Sequence, residues 1–549
     1  MEVGPTTPAP SRSSPLPPPR LLSTPRAKIS GTASSLRIDL VQVCDDTIVA
    51  DESIASPEKR KGSCYQQDDS PRSSKKMRYS GPDLPEEMWQ HIHSLMPMKD
   101  AARVACLSSA FLYSWRNRPK LSFSTETMGI VEGTTDFIRK IDRVMKKHSG
   151  IGVKALTIEF NGLFSTKARS YLERWLQIAV TPRIEELSLS MSKGKSYYDF
   201  PCSLLSDGSG SSIRLLDLYR CTFRPTAEIG CFQSLTRLHL EYVSITGDEL
   251  GCVFSTSFAL EWLKLRLCRH IKYMKLPCVL QRLTYVEVRG CSRLRVIENK
   301  APNLHSLHIF YQPYHPIKLS FGESSLVKNL RIGYSSVLDH ACAELPYIFP
   351  NLETLTIGLL GEMVNTPMVP NTFLLLKYLC ITLSAVTLSP SYDYLSLVSF
   401  LDACPSLDTF IVDVSAKHPK NDSIFENPSH LRQLPEQRHD NLRNVKITGF
   451  RSAKSLFELT YHILENTSVE CLTLDTSFES FRCSPGKPGR CLQTSKDDPM
   501  EASKALFAIR TYIEGKVPST VRLNVVEPCS RCHVMEPFTV ESNSGNEMQ

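Results

Sequence analysis

From about residue 150 onward one small pattern recurs: two apolar residues with a single residue between them, then a longer polar or turn-forming stretch. The pairs are Leu156/Ile158, Leu187/Leu189, Leu216/Leu218, Leu238/Leu240, Leu263/Leu265, Val286/Val288, Leu307/Ile309, Leu330/Ile332, Leu355/Ile357, Leu379/Ile381, Phe410/Val412, Val445/Ile447 and Leu472/Leu474. Side chains alternate across a strand, so each pair predicts a short strand with one buried face. Most steps fall in the range of roughly 20–29 residues, which predicts stacked repeats with one strand per turn. Longer steps near Phe410 and Val445 predict inserted loops or helices.

Ahead of the repeats the period changes. Met88, Ile92, Leu95 and Met96 form one apolar stripe at helical spacing, and Pro85, Glu86 and Glu87 suit a helix start. Pro97 ends that helix. Asp100 is placed to cap a second one, along which Val104, Leu107, Phe111 and Trp115 recur at three- and four-residue intervals. Two such helices are too small to bury a core alone, so they need a partner surface or must cap the repeats behind them. A further helix places Phe137, Ile141, Val144 and His148 on one face.

Composition removes several classes. The 549 residues are too many for a single ordinary core, and the apolar and charged fractions of 41% and 22% are those of a globular protein. No long uncharged apolar run is present, and the N-terminus has no apolar signal core, which predicts no membrane partner. Eighteen cysteines spread over this length predict reduced thiols in cytoplasm or nucleus. The net charge of +7 is mild and does not call for a nucleic-acid partner. Residues 1–80 are rich in proline and serine and predict a disordered tail. Within it, Lys59, Arg60, Lys61 and then Lys75, Lys76, Arg78 are spaced like a bipartite nuclear localisation signal.

The stretch LPEEMWQHIHSLMPMKDAARVACLSSAFLYSW, residues 84–115, resembles an F-box. The resemblance rests on Leu84, Pro85, Ile92, Leu95, Pro97, Asp100, Leu107 and Trp115. It departs at Ala110 and Phe111, where plant members often carry a basic residue and tryptophan. It implies binding of a Skp-family adaptor, and through it a cullin, by Leu84, Pro85, Ile92, Leu95, Met96, Pro97, Leu107 and Trp115. The body resembles a leucine-rich repeat, and Cys221, Cys268 and Cys291 stand where that repeat often holds asparagine, packing as small apolar groups. Residues 441–475 resemble the strand–helix–strand module of plant FBD-associated F-box proteins. In that module Leu456, Leu459, Ile463 and Leu464 face inward, and Ser455 and Glu458 have capping-box spacing.

The expected architecture is therefore α/β: a disordered tail (1–80), F-box helices (81–120), a leucine-rich-repeat solenoid (121–440), FBD-like repeats (441–535) and a short disordered end (536–549). Strands line the concave face, with helices or loops on the convex face. Residues between the buried pairs point to the concave face, which assembles Arg237, His239, Trp262, Lys264, Arg266, Tyr285, Arg289, His308 and Phe310. This basic and aromatic composition suits a surface that binds a protein substrate; the bland alternative is a solvated sheet face whose charges neutralise one another. Some plant F-box leucine-rich-repeat proteins hold small hormones or an inositol phosphate there, and by analogy alone the same ligand classes are an expectation here.

Near the end, Cys529, Cys532 and His533 form a C-x-x-C-H string that matches haem attachment or three zinc ligands, against a plain packed tail. No phosphate loop, nucleophile elbow, H-E-x-x-H or RING-type cysteine array is present, so neither catalysis nor a cofactor is expected. The function implied is a non-catalytic substrate receptor of a ubiquitin ligase, with a non-degradative nuclear scaffold as the alternative.

Overall fold

The computed structural model describes residues 85–128, 134–148, 152–160, 166–191, 197–206, 208–226, 232–310, 317–322, 326–334, 337, 344–359, 372–384, 392–415, 422–435, 437–477, 497–529 and 538. The tail with its basic clusters, Leu84, Cys532 and His533 lie outside the described residues.

Fifteen strands form one sheet, ordered as in the chain from Lys120–Phe123 to Arg522–Val526, with parallel neighbours throughout. Every apolar pair named above lies in one of these strands and is buried to within 2%. Burying one such side chain is worth roughly 1.5–3 kcal/mol, so the repeated pair is the main stabiliser of a leucine-rich-repeat solenoid. The first strand, Lys120–Phe123, was not foreseen; Leu121 and Phe123 form its inward pair.

Helices Thr134–Lys147, Thr166–Ala179, Gly247–Phe254, Lys454–Asn466 and Asp497–Ala508 return the chain between strands. Between residues 262 and 321 the return is made differently. Tyr273–Leu276, Val296–Asn299 and Lys318–Phe321 form their own parallel three-stranded sheet, where helices or loops were expected. Repeats this short leave too few residues for a packed helix.

Four consecutive repeats turn inward in one way. The residue after the strand, Arg220, Tyr242, Leu267 or Gly290, has φ of 58°, 53°, 55° or 68°, and its N–H still donates to the next strand's carbonyl at 2.9, 2.8, 2.6 and 2.7 Å. The left-handed backbone costs a non-glycine roughly 1–2 kcal/mol, offset by keeping the ladder and burying the following residue. That residue is Cys221, Cys268 or Cys291 in three of the four, as the packing reading expected. The Cys268 and Cys291 thiols donate to Leu240 O and Leu265 O of the preceding repeat.

The long step before Phe410 holds the helical turns Tyr394–Leu397 and Val398–Asp402. The step before Val445 holds an irregular stretch tied down by Arg432, which forms a two-pronged pair with Asp393 (2.7 and 2.8 Å) and reaches buried Glu458 at 2.6 and 2.9 Å. This corrects the capping-box expectation. Ala453 is the N-cap, Ser455 Oγ instead accepts from Tyr394 N–H, and Glu458 is committed to Arg432, 26 residues away. Leu456, Leu459 and Ile463 face inward as expected.

Candidate functional site

Three helices precede the sheet: α1 (Glu86–Leu95), α2 (Met98–Ala105) and α3 (Ser109–Arg116). The sequence pattern, Val104 to Trp115, runs the last two together as one helix. Ser108 separates them, because its extended backbone lets its hydroxyl accept from Phe111 N–H at 3.2 Å and cap a new helix. Asp100 is not a cap either: Pro97 holds that position, and Asp100 pairs with Arg103 in the first turn.

The apolar stripe of α1 faces out. Met88, Ile92 and Leu95 are exposed, the last at 72%, while His93 and the Trp89 ring face the Phe111 ring of α3. Leu107, 77% exposed, and Tyr113 add to this apolar surface. Large side chains left in water this way mark a surface that another molecule covers. Of the residues assigned to the adaptor, Pro85 and Pro97 are exposed and Met96 is half-buried. Trp115 is a correction: at 6% exposure, edge-on to His93, it packs the helices together and is out of a partner's reach. Met88 and Tyr113, outside the set named from the sequence, belong to the same exposed surface, and Met88 already stands in the stripe.

Arg118 joins these helices to the body. Its guanidinium donates to the carbonyls of His93 (2.9 Å), Ser94 (3.1 Å) and Met96 (2.5 Å) at the end of α1, and to Lys120 O (3.0 Å) in the first strand. A cation at a helix C-terminus satisfies otherwise orphaned carbonyls and complements the helix dipole. His148 Nε2 meets Arg118 O at 2.9 Å, and His93 Nε2 meets Ala101 O at 3.0 Å. Burial pushes both histidines below their ordinary pKa, so both are neutral near pH 7.

The open face of the sheet brings together the nine residues predicted for it. Arg237, Trp262, Tyr285 and Ser306 stand side by side in register, as do His239, Lys264, Glu287 and His308, and then Glu241, Arg266, Arg289 and Phe310. Trp262, 41% exposed, stacks on Tyr285 with ring centroids 4.5 Å apart, and His308 meets Tyr285 edge-on at 4.9 Å. Tyr285 donates its hydroxyl to Glu287 Oε2 at 3.0 Å, while Arg266 holds Oε1 at 2.7–2.8 Å. Lys264 lies about 6 Å from both the Trp262 and Tyr285 rings, within cation–π range. Phe310 is laid over the sheet rather than raised from it: a Cβ on Gly333 would meet its ring at 2.8 Å.

The electrostatics follow this arrangement. Burial acts against the Glu287 carboxylate, but the bonds from Arg266 and Tyr285 outweigh it and hold its pKa below the usual range. Burial and Glu287 together push the Tyr285 hydroxyl up to about 12. His239 falls to about 4 through burial and the positive charges of Lys264, Arg237 and Arg266. Arg331 was missed, although the alternation that found Lys264 and His308 puts it next in the same row.

Cys529 is half-buried, and among the described residues no group of three or more His, Cys, Asp or Glu side chains is arranged to hold a metal ion. No described helix is long and apolar enough to cross a membrane.

Residues 144–530, well over half of the chain, match the family described as At1g61320/AtMIF1, LRR domain. Among curated proteins of Arabidopsis thaliana, FBD-associated F-box protein At1g66310 is 26% identical over 64% of this chain and 80% of its own length. F-box/FBD/LRR-repeat protein At1g13570 is 24% identical over 72% of this chain and 90% of its own. F-box/FBD/LRR-repeat protein At5g56420 is 27% identical over 34% of this chain; it and a further relative are matched over less than half of their own lengths. With a matching repeat body and relatives named for F-box, FBD and leucine-rich repeat, the chain belongs to the plant F-box/FBD/leucine-rich-repeat family.

Proposed function

We propose that this chain is a non-catalytic substrate-recognition subunit of a Skp/cullin/F-box ubiquitin-protein ligase. The helices α1–α3 bind a Skp-family adaptor, and the open face of the repeats holds the protein to be tagged. The observation that carries this reading is the outward apolar surface of Met88, Ile92, Leu95, Leu107 and Tyr113, held to the solenoid by Arg118. Three short helices with their stripe turned to water gain more from a partner than from the body behind them. A ligase receptor also needs a fixed distance between adaptor and substrate, and the buried Arg118 network supports such a joint.

The test is co-purification of a Skp-family adaptor and cullin with the intact chain and with a Leu95→Ser/Leu107→Ser variant. Capture by the intact chain and loss in the variant is expected; no capture by the intact chain leaves an interaction scaffold as the better account. We also propose nuclear entry through Lys59, Arg60, Lys61, Lys75, Lys76 and Arg78. An unchanged nuclear signal in a fluorescent fusion lacking Arg60 and Lys61 would remove that role.

A further inference from the structure

The open face carries an imbalance of charge that its neighbours do not correct. Arg266 is neutralised by Glu287, and Arg237 lies 3.6 Å from Glu186. Lys264, Arg289 and Arg331 have no carboxylate within ion-pair distance among the described residues. Glu241 stands across from Arg266, on the side away from Arg289 and Arg331. On the other side, the open-face positions of the next strands hold Thr354, Thr356, Gly358, then Tyr378, Cys380 and Thr382, and the first carboxylate is Asp413. Glu287 beside Lys264 and Asp217 two strands before it lie in the field of Lys264 without forming an ion pair with it. Three cations thus lack a direct carboxylate partner on this face, and Arg331 borders the neutral, hydroxyl-bearing floor. Arg331 and, more weakly, Lys264 add to burial in depressing the His308 pKa, against the opposing charge of Glu287.

We infer that this face takes an extended acidic segment of the target protein, whose Asp or Glu carboxylates pair with Lys264, Arg289 and Arg331. The inference rests on the proposed receptor role and names the chemistry of its substrate. Lys264 and Arg331 are three strands apart in one row, about 14 Å at the usual strand spacing. An extended chain covers that distance in about four residues, so the segment carries acids roughly four positions apart. A nucleic acid fits less well. Stacking of successive bases needs several open aromatic faces, whereas of these rings Trp262 is the exposed one: Tyr285 is covered by Trp262 and His308, and Phe310 lies against Gly333.

The experiment is fluorescence anisotropy on the full chain with a labelled 16-residue peptide bearing glutamates four positions apart, alongside its glutamine counterpart and an oligouridine of equal charge. The glutamate peptide is expected to bind, the glutamine peptide is not, and Arg289→Gln/Arg331→Gln is expected to weaken binding about tenfold, with steep loss in salt. Binding should also raise the pKa of His308, followed by NMR, which a purely structural role of the arginines would not produce. Equal binding of both peptides, no binding, insensitivity to the double variant, or preference for oligouridine lost in Trp262→Ala would each overturn the inference. Because these side chains are remote from α1–α3, adaptor capture by the same samples separates the two proposals. Capture retained with no peptide binding removes only the acidic-segment inference, and peptide binding without capture removes only the ligase role.

Discussion

The helices α1–α3 and the repeats behind them use apolar residues in opposite ways. In the repeats, every strand but the last, where Leu523 and Val525 are half-buried, sends its pair inward to near-complete burial, and the exposed positions are mostly polar. In α1–α3, the regular stripe Met88, Ile92, Leu95 points to water, and the inward contacts fall to His93, Trp115 and small alanines. Periodicity therefore identifies an element but not the direction of its apolar face. Direction depends on what else lies within reach, and the contrast separates a body that buries its own apolar pairs from a segment that leaves its stripe exposed.

The sharpest way to break this comparison is to make one change in both regions. Leu263→Ala, in a strand with no exposure, should cost about 2–5 kcal/mol in urea unfolding, whereas Leu95→Ala should stay within about 0.5 kcal/mol. Similar losses at both positions would mean that the helices share the core. Next in size is Gly290→Ala. The residue has φ of 68°, and a Cβ there would come within 2.6 Å of Leu267 Cδ2, so left-handed strain and crowding together should cost about 2–4 kcal/mol.

A smaller, local effect is expected at the joint. Arg118→Met removes the guanidinium that bonds the carbonyls of His93, Ser94, Met96 and Lys120, and should destabilise α1 by about 1–3 kcal/mol while leaving the body's unfolding midpoint in place. Hydrogen exchange resolves the two, with faster exchange confined to α1–α3. The smallest effect is one of pH. His93 and His148 have folded pKa values below the ordinary 6.5, so the unfolded joint binds more protons as pH falls through 6.5 toward those values. The joint should lose stability over that window and keep it above, seen as faster exchange in α1 at pH 5.5 than at pH 7.5 with the change in intrinsic rate removed.

The repeat body is legible because its signal is local and recurs: L-x-L, mostly at steps of roughly 20–29 residues, locates the strands and lines up Trp262, Tyr285 and His308 from the sequence alone. What escaped depended on contacts distant in sequence. Arg118 looked like an ordinary basic residue after a helix, since its acceptors lie 22 to 25 residues earlier and its fourth lies two residues later. Glu458 matched a capping box until Arg432 claimed it. The flattening of Phe310 requires Gly333 in the next strand, which a single-strand pattern does not reveal. Ser108 was the exception, a local cap hidden by the continuous three- and four-residue spacing from Val104 to Trp115.

The most direct test of the account is hydrogen exchange of the full chain with and without a Skp-family adaptor. Protection concentrated in residues 86–116, with the strands of the repeats unchanged, is the predicted footprint. Absence of protection there, or protection confined to the repeats, would contradict the claim that these outward-facing helices are the adaptor's seat.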